Sequence, residues 1–217
     1  MKILLLIPAF DEEPRIASLI EQAKRQVPDI MVVDDGSEDA TTLVSALAGA
    51  MVHRLKSNLG KGEALKTGFD YAITQGYEWV ITMSGSGSNN PADIERFLAM
   101  LPGHDLIIGR RVPAQARLSL LRRMAIALSS LLVSAVAGRK IRDAQSGFRA
   151  YRSECLRQLE LTGSGYDLDT ELLVKFGRRG FRIGEIEVQT AEAGRNRYRI
   201  FRDSLRFFAA LARSLRG

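Results

Sequence analysis

The chain has 217 residues, of which 46% are hydrophobic and 26% charged, proportions typical of a soluble globular protein with a sizeable core. Its formal net charge of +6 favours anionic partners such as phosphates, acidic lipids or nucleic acid. The single cysteine excludes an internal disulfide, and the most apolar stretch, Met124–Ala137, is shorter than the roughly 20 residues that span a bilayer.

Apolar runs and helical spacings alternate along the first half of the chain. The runs predict strands over residues 3–7, 30–33, 51–55, 79–83 and 106–108. Helices are predicted between them, one of them over residues 60–73. This order predicts an α/β fold with a mostly parallel sheet and helices on both faces.

Polar clusters follow several of these predicted strands. They cover residues 8–13, 34–37, 84–90 and 109–111. Ligands of open parallel sheets bind beyond the carboxyl ends of the strands, so we expect these clusters to line a binding crevice.

The first two clusters allow both ligand contacts and purely structural roles. Backbone N–H groups after the first strand can meet a ligand, and Glu12 or Glu13 can accept hydrogen bonds, whereas Asp11 can simply cap the helix. One carboxylate of the Asp34-Asp35 pair can orient a loop while the other accepts from a nucleobase or ribose hydroxyl. The alternative for this pair is a turn followed by a helix cap.

A glycine-flanked lysine opens the helix predicted over residues 60–73. Lys61 can contact a phosphate there, and a solvated lysine on a tight turn fits the pattern equally well. The segment lacks the spacing and the Ser/Thr of a Walker motif.

The second half contains two candidate membrane-binding segments. The apolar helix predicted over Leu118–Ala137 carries Arg122 and Arg123, and could lie along a bilayer or pack into the core or a dimer interface. Residues 195–217 combine arginines with an apolar stripe, which favours a basic amphipathic helix on an anionic membrane. Docking of this tail on the domain is the alternative. We therefore predict one domain over residues 1–194, followed by the tail.

Six short motifs stand in order along most of the chain. They are Ile7–Glu13, Val32–Ser37, Asn58–Gly62, Gly147–Tyr151, Asp169–Leu173 and Gly180–Glu185. Together they resemble the family 2 glycosyltransferases, particularly the dolichyl-phosphate mannose synthase and polyprenyl-phosphate glycosyltransferase branch. The resemblance implies a Rossmann-like, glycosyltransferase A-type fold. It also implies a nucleotide-diphosphate-sugar donor bound by the first half and a polyprenyl-phosphate acceptor approached from the second half.

The resemblance implies roles for individual residues. The expected nucleotide-sugar contacts are Pro8, Ala9, Phe10, Glu12, Asp34, Asp35, Lys61, Ser84, Gly85, Ser86 and Arg111. Asp143 and Arg149 are the candidate catalytic residues, with Asp143 acting as a base or orienting Arg149. Arg195 and Arg197 are the candidate contacts of the acceptor phosphate, which is already an anion and needs little help from a base.

One motif departs from the family pattern. The family usually carries Asp-x-Asp after the fourth strand, where it holds Mg²⁺ or Mn²⁺ against the donor diphosphate, whereas this chain has Ser84-Gly85-Ser86. Neutral hydroxyls are poor ligands for hard divalent cations. Loss of the metal would remove several kcal/mol of transition-state stabilisation.

Three interpretations fit this departure. An active transferase could replace the metal with cations and with N–H and O–H donors of the serine-rich loop. The candidate cations are Lys61, Arg110, Arg111, Arg149, Arg195 and Arg197. A catalytically silent relative could instead bind a nucleotide, sugar or lipid phosphate as a partner protein. The serines could also be laboratory substitutions.

The basic, apolar second half predicts where the protein acts. We expect a peripheral protein on the anionic, cytoplasmic face of a membrane, with a homodimer or a membrane-protein partner as further possibilities. The positive charge also suits nucleic acid, but the sequence contains no recognised nucleic-acid-binding module or aromatic and basic platform. We therefore expect no nucleic-acid partner.

Overall fold

Seven strands form one sheet in the computed structural model of the protein, which describes residues 1–111 and 120–189. The strands are β1 (Ile3–Ala9), β2 (Ile30–Asp34), β3 (Met51–Arg54), β4 (Trp79–Thr82), β5 (Leu106–Arg111), β6 (Arg149–Arg152) and β7 (Ile183–Val188). Their order is β3-β2-β1-β4-β6-β5-β7; β6 runs antiparallel to β4 and β5, and the other pairs are parallel. The predicted α/β fold with a mostly parallel sheet is confirmed.

Helices connect the strands. They are α1 (Glu13–Ala23), α2 (Thr41–Leu47), α3 (Lys61–Thr74), α4 (Ile94–Met100), α5 (Leu120–Ala137), α6 (Ser153–Arg157) and α7 (Asp167–Arg178), with a short 3-10 helix at Pro91–Asp93. Pro14 lies in the first turn of α1, where the missing N–H of a proline is tolerated.

The strand β1 is buried on both faces, because helices cover both sides of the sheet. Leu4 and Leu6 belong to a core that includes residues of α3, α5, α6 and α7. Leu5 and Ile7 belong to a second core with α1 and α4. Successive side chains of a strand point to opposite faces, so the continuous apolar run is explained by burial between two helical layers.

Two elements differ from the sequence-based expectation. The strand β6 was not predicted, because it is short and has an arginine at each end. The sequence predicts a helix over Thr170–Arg178, whereas helix α7 begins at Asp167. The predicted basic tail, with Arg195 and Arg197, lies outside the described residues, as do the first two residues of the helix predicted over Leu118–Ala137.

Candidate functional site

The candidate site is a crevice at the edge of the sheet where the parallel strands end. The loops after β1, β2 and β4 and the carboxyl end of β5 lie along this edge. The amino end of β6 joins them, because that strand runs in the opposite direction. All four polar clusters predicted from the sequence are therefore placed along one edge.

The loops after β1 and β2 are joined by hydrogen bonds. The Asp11 N–H donates to Ser37 Oγ at 2.9 Å, and the Glu12 N–H donates to Thr41 Oγ1 at 2.8 Å. Asp34 is fully buried and accepts from the Ser37 N–H at 2.8 Å, so this carboxylate orients the second loop. The N–H groups before α1 therefore donate to Ser37 and Thr41, and their contact with a ligand stays a prediction.

The end of β1 is fixed on both sides. The Ala9 carbonyl accepts from the Asp35 N–H at 2.8 Å, and the Pro8 carbonyl accepts from the Gly85 N–H at 3.4 Å. A Cβ added at Gly85 would lie 3.2 Å from the Ala9 Cβ, so the glycine allows the two loops to approach closely. Pro8 and Phe10 are partly exposed at this edge.

Asp35 connects β2 to the turn that opens α3. Its Oδ1 accepts from the Leu59 N–H at 2.8 Å, and its Oδ2 accepts from the Gly60 N–H at 2.9 Å. Burial raises the pKa of the Asp35 carboxyl above its ordinary value, although these N–H groups oppose the rise. Asp35 therefore orders the turn over residues 58–62, and its contact with a nucleoside stays a prediction.

Close backbone packing accounts for the glycines around Lys61. Gly60 has a φ of 103°, a conformation that favours glycine. A Cβ added at Gly62 would lie 2.4 Å from the Ser164 carbonyl carbon and 2.7 Å from the Gly165 nitrogen. The turn therefore lies directly against the segment that leads into α7.

Lys61 reaches from the first half of the chain to the second. Its Nζ donates to Asp169 Oδ2 at 2.5 Å and lies 5.6 Å from the centroid of the Tyr166 ring. A Cβ added at Gly147 would lie 2.8 Å from this nitrogen, so the ammonium group lies beside the turn that precedes β6. Lys61 is thus held where α3, α7 and β6 meet, which disfavours the solvated alternative.

Asp169 opens one of the six motifs, but sequence reasoning gave it no role at the site. This residue lies in the first turn of α7 together with Asp167, where the helix dipole favours carboxylates. The signal that could have revealed it is the acidic pair directly after the glycines at 163 and 165, a pattern typical of a helix start.

The turn after β4 contains a chain of hydroxyl groups. Ser84 Oγ and Ser86 Oγ are 2.9 Å apart, and Ser86 Oγ donates to Ser88 Oγ at 3.2 Å. The Ser84 N–H donates to Asn89 Oδ1 at 3.1 Å, which closes the turn. All three serines are partly exposed. The turn therefore presents neutral oxygens at the edge of the crevice.

Arg111 and Asp143 form a two-pronged ion pair. Arg111 Nε donates to Asp143 Oδ2, and Nη2 donates to Oδ1, each at 2.8 Å. Burial alone would raise the pKa of Asp143, but the hydrogen bonds and charge of Arg111 hold it below its ordinary value. A carboxylate with a lowered pKa is a weak base, so Asp143 is better suited to orienting Arg111. Arg110, another expected cation, pairs with Glu187 on β7.

Arg149 is completely buried, and its predicted catalytic role stays a prediction. Its Nη1 donates to the Asp169 carbonyl at 2.7 Å, and its Nη2 donates to the Ala144 carbonyl at 2.8 Å. Burial alone would lower the pKa of Arg149, but the nearby Tyr151 and Asp169 oxygens keep it raised. The guanidinium therefore supports the backbone that carries Asp169, as a positioning residue.

Comparison with known proteins finds relatives that match most of the chain. The model of Glycosyl transferase family 2 matches residues 5–160. The chain is 30% identical over 206 residues to the undecaprenyl-phosphate mannosyltransferase of Micrococcus luteus, covering 88% of this chain and 84% of the relative. It is 32% identical over 205 residues to the polyprenol monophosphomannose synthase of Mycolicibacterium smegmatis, covering 87% and 77%.

Solved structures share the arrangement of strands and helices. One is the glucosyl-3-phosphoglycerate synthase of Mycobacterium tuberculosis in complex with Mn²⁺, uridine-diphosphate-glucose and phosphoglyceric acid. It matches with a TM-score of 0.76 and 23% identity, covering 98% of this chain and 79% of that chain. At this identity the likeness concerns the fold alone.

Proposed function

Because the chain belongs to glycosyl transferase family 2, we propose that it transfers a sugar from a nucleotide-sugar donor to a polyprenyl phosphate at a membrane surface. The relatives from M. luteus and M. smegmatis are an undecaprenyl-phosphate mannosyltransferase and a polyprenol monophosphomannose synthase. The glycosyltransferase A-type fold implied by the sequence motifs is confirmed.

The observation that carries the proposal is the fixed position of two cations at the crevice. Lys61 is held by Asp169, and Arg111 is held by Asp143. Cations that are already in place where negative charge develops stabilise a leaving diphosphate without further rearrangement. The donor nucleoside would then lie against the loop over residues 8–12 and near Asp35, beside the edge of β1 and β2.

The proposed reaction is a displacement at the anomeric carbon. An oxygen of the lipid phosphate forms a bond to that carbon while the bond to the donor diphosphate breaks, and the nucleoside diphosphate leaves with the electron pair. The attacking oxygen is already anionic, which agrees with the weak basicity of Asp143. Arg195 and Arg197, outside the described residues, are the proposed contacts of the acceptor phosphate.

An exposed apolar face of α5 supports action at a membrane surface. Met124, Leu128 and Leu131 are 63%, 56% and 66% exposed and follow one another at helical spacing. The exposed Arg139 and Lys140 follow the end of the helix, where they can meet lipid headgroups. No helix among the described residues is long and apolar enough to cross a membrane. We propose that this face rests on the cytoplasmic surface; a second copy of the chain is the alternative occupant.

The turn after β4, here called the serine turn (residues 84–88), favours a second candidate function. A protein without carboxylates in this turn could bind a nucleotide, sugar or lipid phosphate without turnover, as a partner or regulatory protein. The two candidates predict the same ligands and differ only in product formation.

The test is transfer of radiolabel from a panel of nucleotide sugars to polyprenyl phosphate in vesicles, measured as lipid-extractable counts. We expect transfer from one class of donor, and a loss of about 100-fold or more in Lys61→Met. Lys66→Met is the matched control, because Lys66 is on the same helix but pairs with Glu63 at 2.7 Å; its transfer should stay within about twofold. If the protein bound nucleotides but transferred sugar from no donor, the proposed transferase activity would be refuted, and binding without turnover would be favoured.

A further inference from the structure

The turn after β4 does not fit the divalent cation that the family usually binds. The side-chain oxygens of residues 84–88 are the hydroxyls of Ser84, Ser86 and Ser88, which are neutral and joined by hydrogen bonds. Mg²⁺ and Mn²⁺ are held in proteins mainly by anionic oxygens. Within residues 1–111 and 120–189, no group of three or more His, Cys, Asp or Glu side chains could hold a metal ion.

Three carboxylates along the crevice already have partners. Asp35 accepts from the backbone N–H groups of residues 59 and 60. Asp143 is paired with Arg111, and Asp169 is paired with Lys61. Recruiting any of these carboxylates for a metal would break a contact that orders the crevice, so they do not compensate for the missing carboxylates of the serine turn.

The serine turn is instead suited to an anion. The hydroxyl pair Ser84–Ser86 can be oriented either way, so its O–H groups can turn to donate to phosphate oxygens. The turn is held in place because Gly85 packs against the end of β1 and Asn89 closes the turn. A Cβ added at Gly87 would lie 3.5 Å from Arg15 Cδ, which places the stem of that arginine beside the turn.

The serine turn and Lys61 belong to the same part of the crevice. Thr82, two residues before Ser84, donates from Oγ1 to the Gly147 carbonyl at 2.9 Å. Lys61 Nζ lies beside Gly147, where a Cβ would approach it to 2.8 Å. A diphosphate at the serine turn would therefore lie near a fixed ammonium group, with Arg111 on the far side of β6.

We infer that this chain binds the diphosphate of a nucleotide without a divalent cation, through the hydroxyls of residues 84–88 and the nearby positive charges. This inference rests on one part of the proposed function, namely that the chain binds a nucleotide. Mg²⁺ and Mn²⁺ therefore leave the affinity for the nucleotide unchanged, whereas they would raise it at a site built from paired aspartates.

The experiment is calorimetric titration of the full chain with UDP, GDP, ADP and CDP, in EDTA and in Mn²⁺. We expect the affinity for the preferred nucleotide to agree within about twofold between the two buffers. Tightening by tenfold or more in Mn²⁺, or no binding of any nucleotide in EDTA, would overturn the inference. Sugar transfer that absolutely requires Mn²⁺ would also overturn it and leave the proposed function intact.

Two double variants separate the roles of the serines. Ser84→Ala/Ser86→Ala removes hydrogen bonds to a charged ligand and should weaken nucleotide binding in EDTA by about 10-fold or more. Ser84→Asp/Ser86→Asp should create Mn²⁺ binding detectable by electron paramagnetic resonance and make nucleotide binding depend on Mn²⁺. Unchanged affinity of the alanine variant, with a wild-type thermal unfolding curve, would contradict a role for the hydroxyls.

Discussion

Replacing Asp143 by Asn should destabilise the protein far more than replacing Glu187 by Gln, although both carboxylates pair with adjacent arginines of β5. Asp143 is 4% exposed and accepts two hydrogen bonds from the Arg111 guanidinium and one from its backbone N–H, whereas the Glu187 side chain is 60% exposed. Removing one partner of a buried pair costs about 3–5 kcal/mol, because it leaves a buried charge without a partner. An exposed pair contributes about 0–1 kcal/mol.

The expected magnitude for Asp143→Asn lies somewhat below the range for a fully buried pair. The Arg111 side chain is 28% exposed, so water can partly hydrate the guanidinium that remains. The asparagine also keeps one acceptor oxygen. We expect a loss of about 2–4 kcal/mol for Asp143→Asn and less than about 1 kcal/mol for Glu187→Gln. With a urea slope of about 2 kcal/mol/M, the unfolding midpoints should shift by about 1–2 M and by less than about 0.5 M.

The pH dependence of unfolding is a second measurement of the same pair. The pKa of Asp143 is lowered in the folded state, so its stabilisation is fully present above the unfolded value of about 3.9. The stabilisation is lost as the pH falls through the lowered folded value. The stability difference between wild type and Asp143→Asn should therefore be constant near neutral pH and shrink below about pH 4. Equal midpoint shifts for the two variants at pH 7 would refute the reasoning.

Two further predictions concern the close packing of a glycine and the burial of the single thiol. Gly62→Ala places a methyl group 2.4 Å from the Ser164 backbone, so it should destabilise the protein by about 1–3 kcal/mol in urea and weaken nucleotide binding. Gly76→Ala adds its methyl group in open space, although its φ of 72° strains an alanine, so it should destabilise the protein and leave nucleotide binding unchanged. Equal losses of nucleotide affinity in the two variants would argue against a specific role of the turn over residues 58–62. Burial raises the pKa of the Cys155 thiol to about 11, so iodoacetamide at pH 8 should react at least about 100-fold more slowly with the folded chain than with the urea-unfolded chain. Reaction of native protein at the rate of a free thiol would show that this thiol is accessible.

The edge of the crevice could be predicted from the sequence, because buried parallel strands are continuous apolar runs and the polar clusters directly follow them. Side-chain partners could not be predicted, because they depend on residues that are remote in the chain: Lys61 and Asp169 are 108 positions apart. Arg149 illustrates the difference. Its place in a motif indicated function, but a short antiparallel strand turns its guanidinium into the protein, where it orders the start of α7.

The antiparallel direction of β6 determines where this fold can accept insertions. The segment between β5 and β6 leaves the sheet at the crevice and returns to it at the same edge, since the two strands are antiparallel neighbours. Residues added within this segment, away from the buried side of α5 and from Asp143, would therefore leave the register of β1, β2 and β4 unchanged. We expect insertions to be tolerated best in this segment, because its two ends lie at the same edge of the sheet.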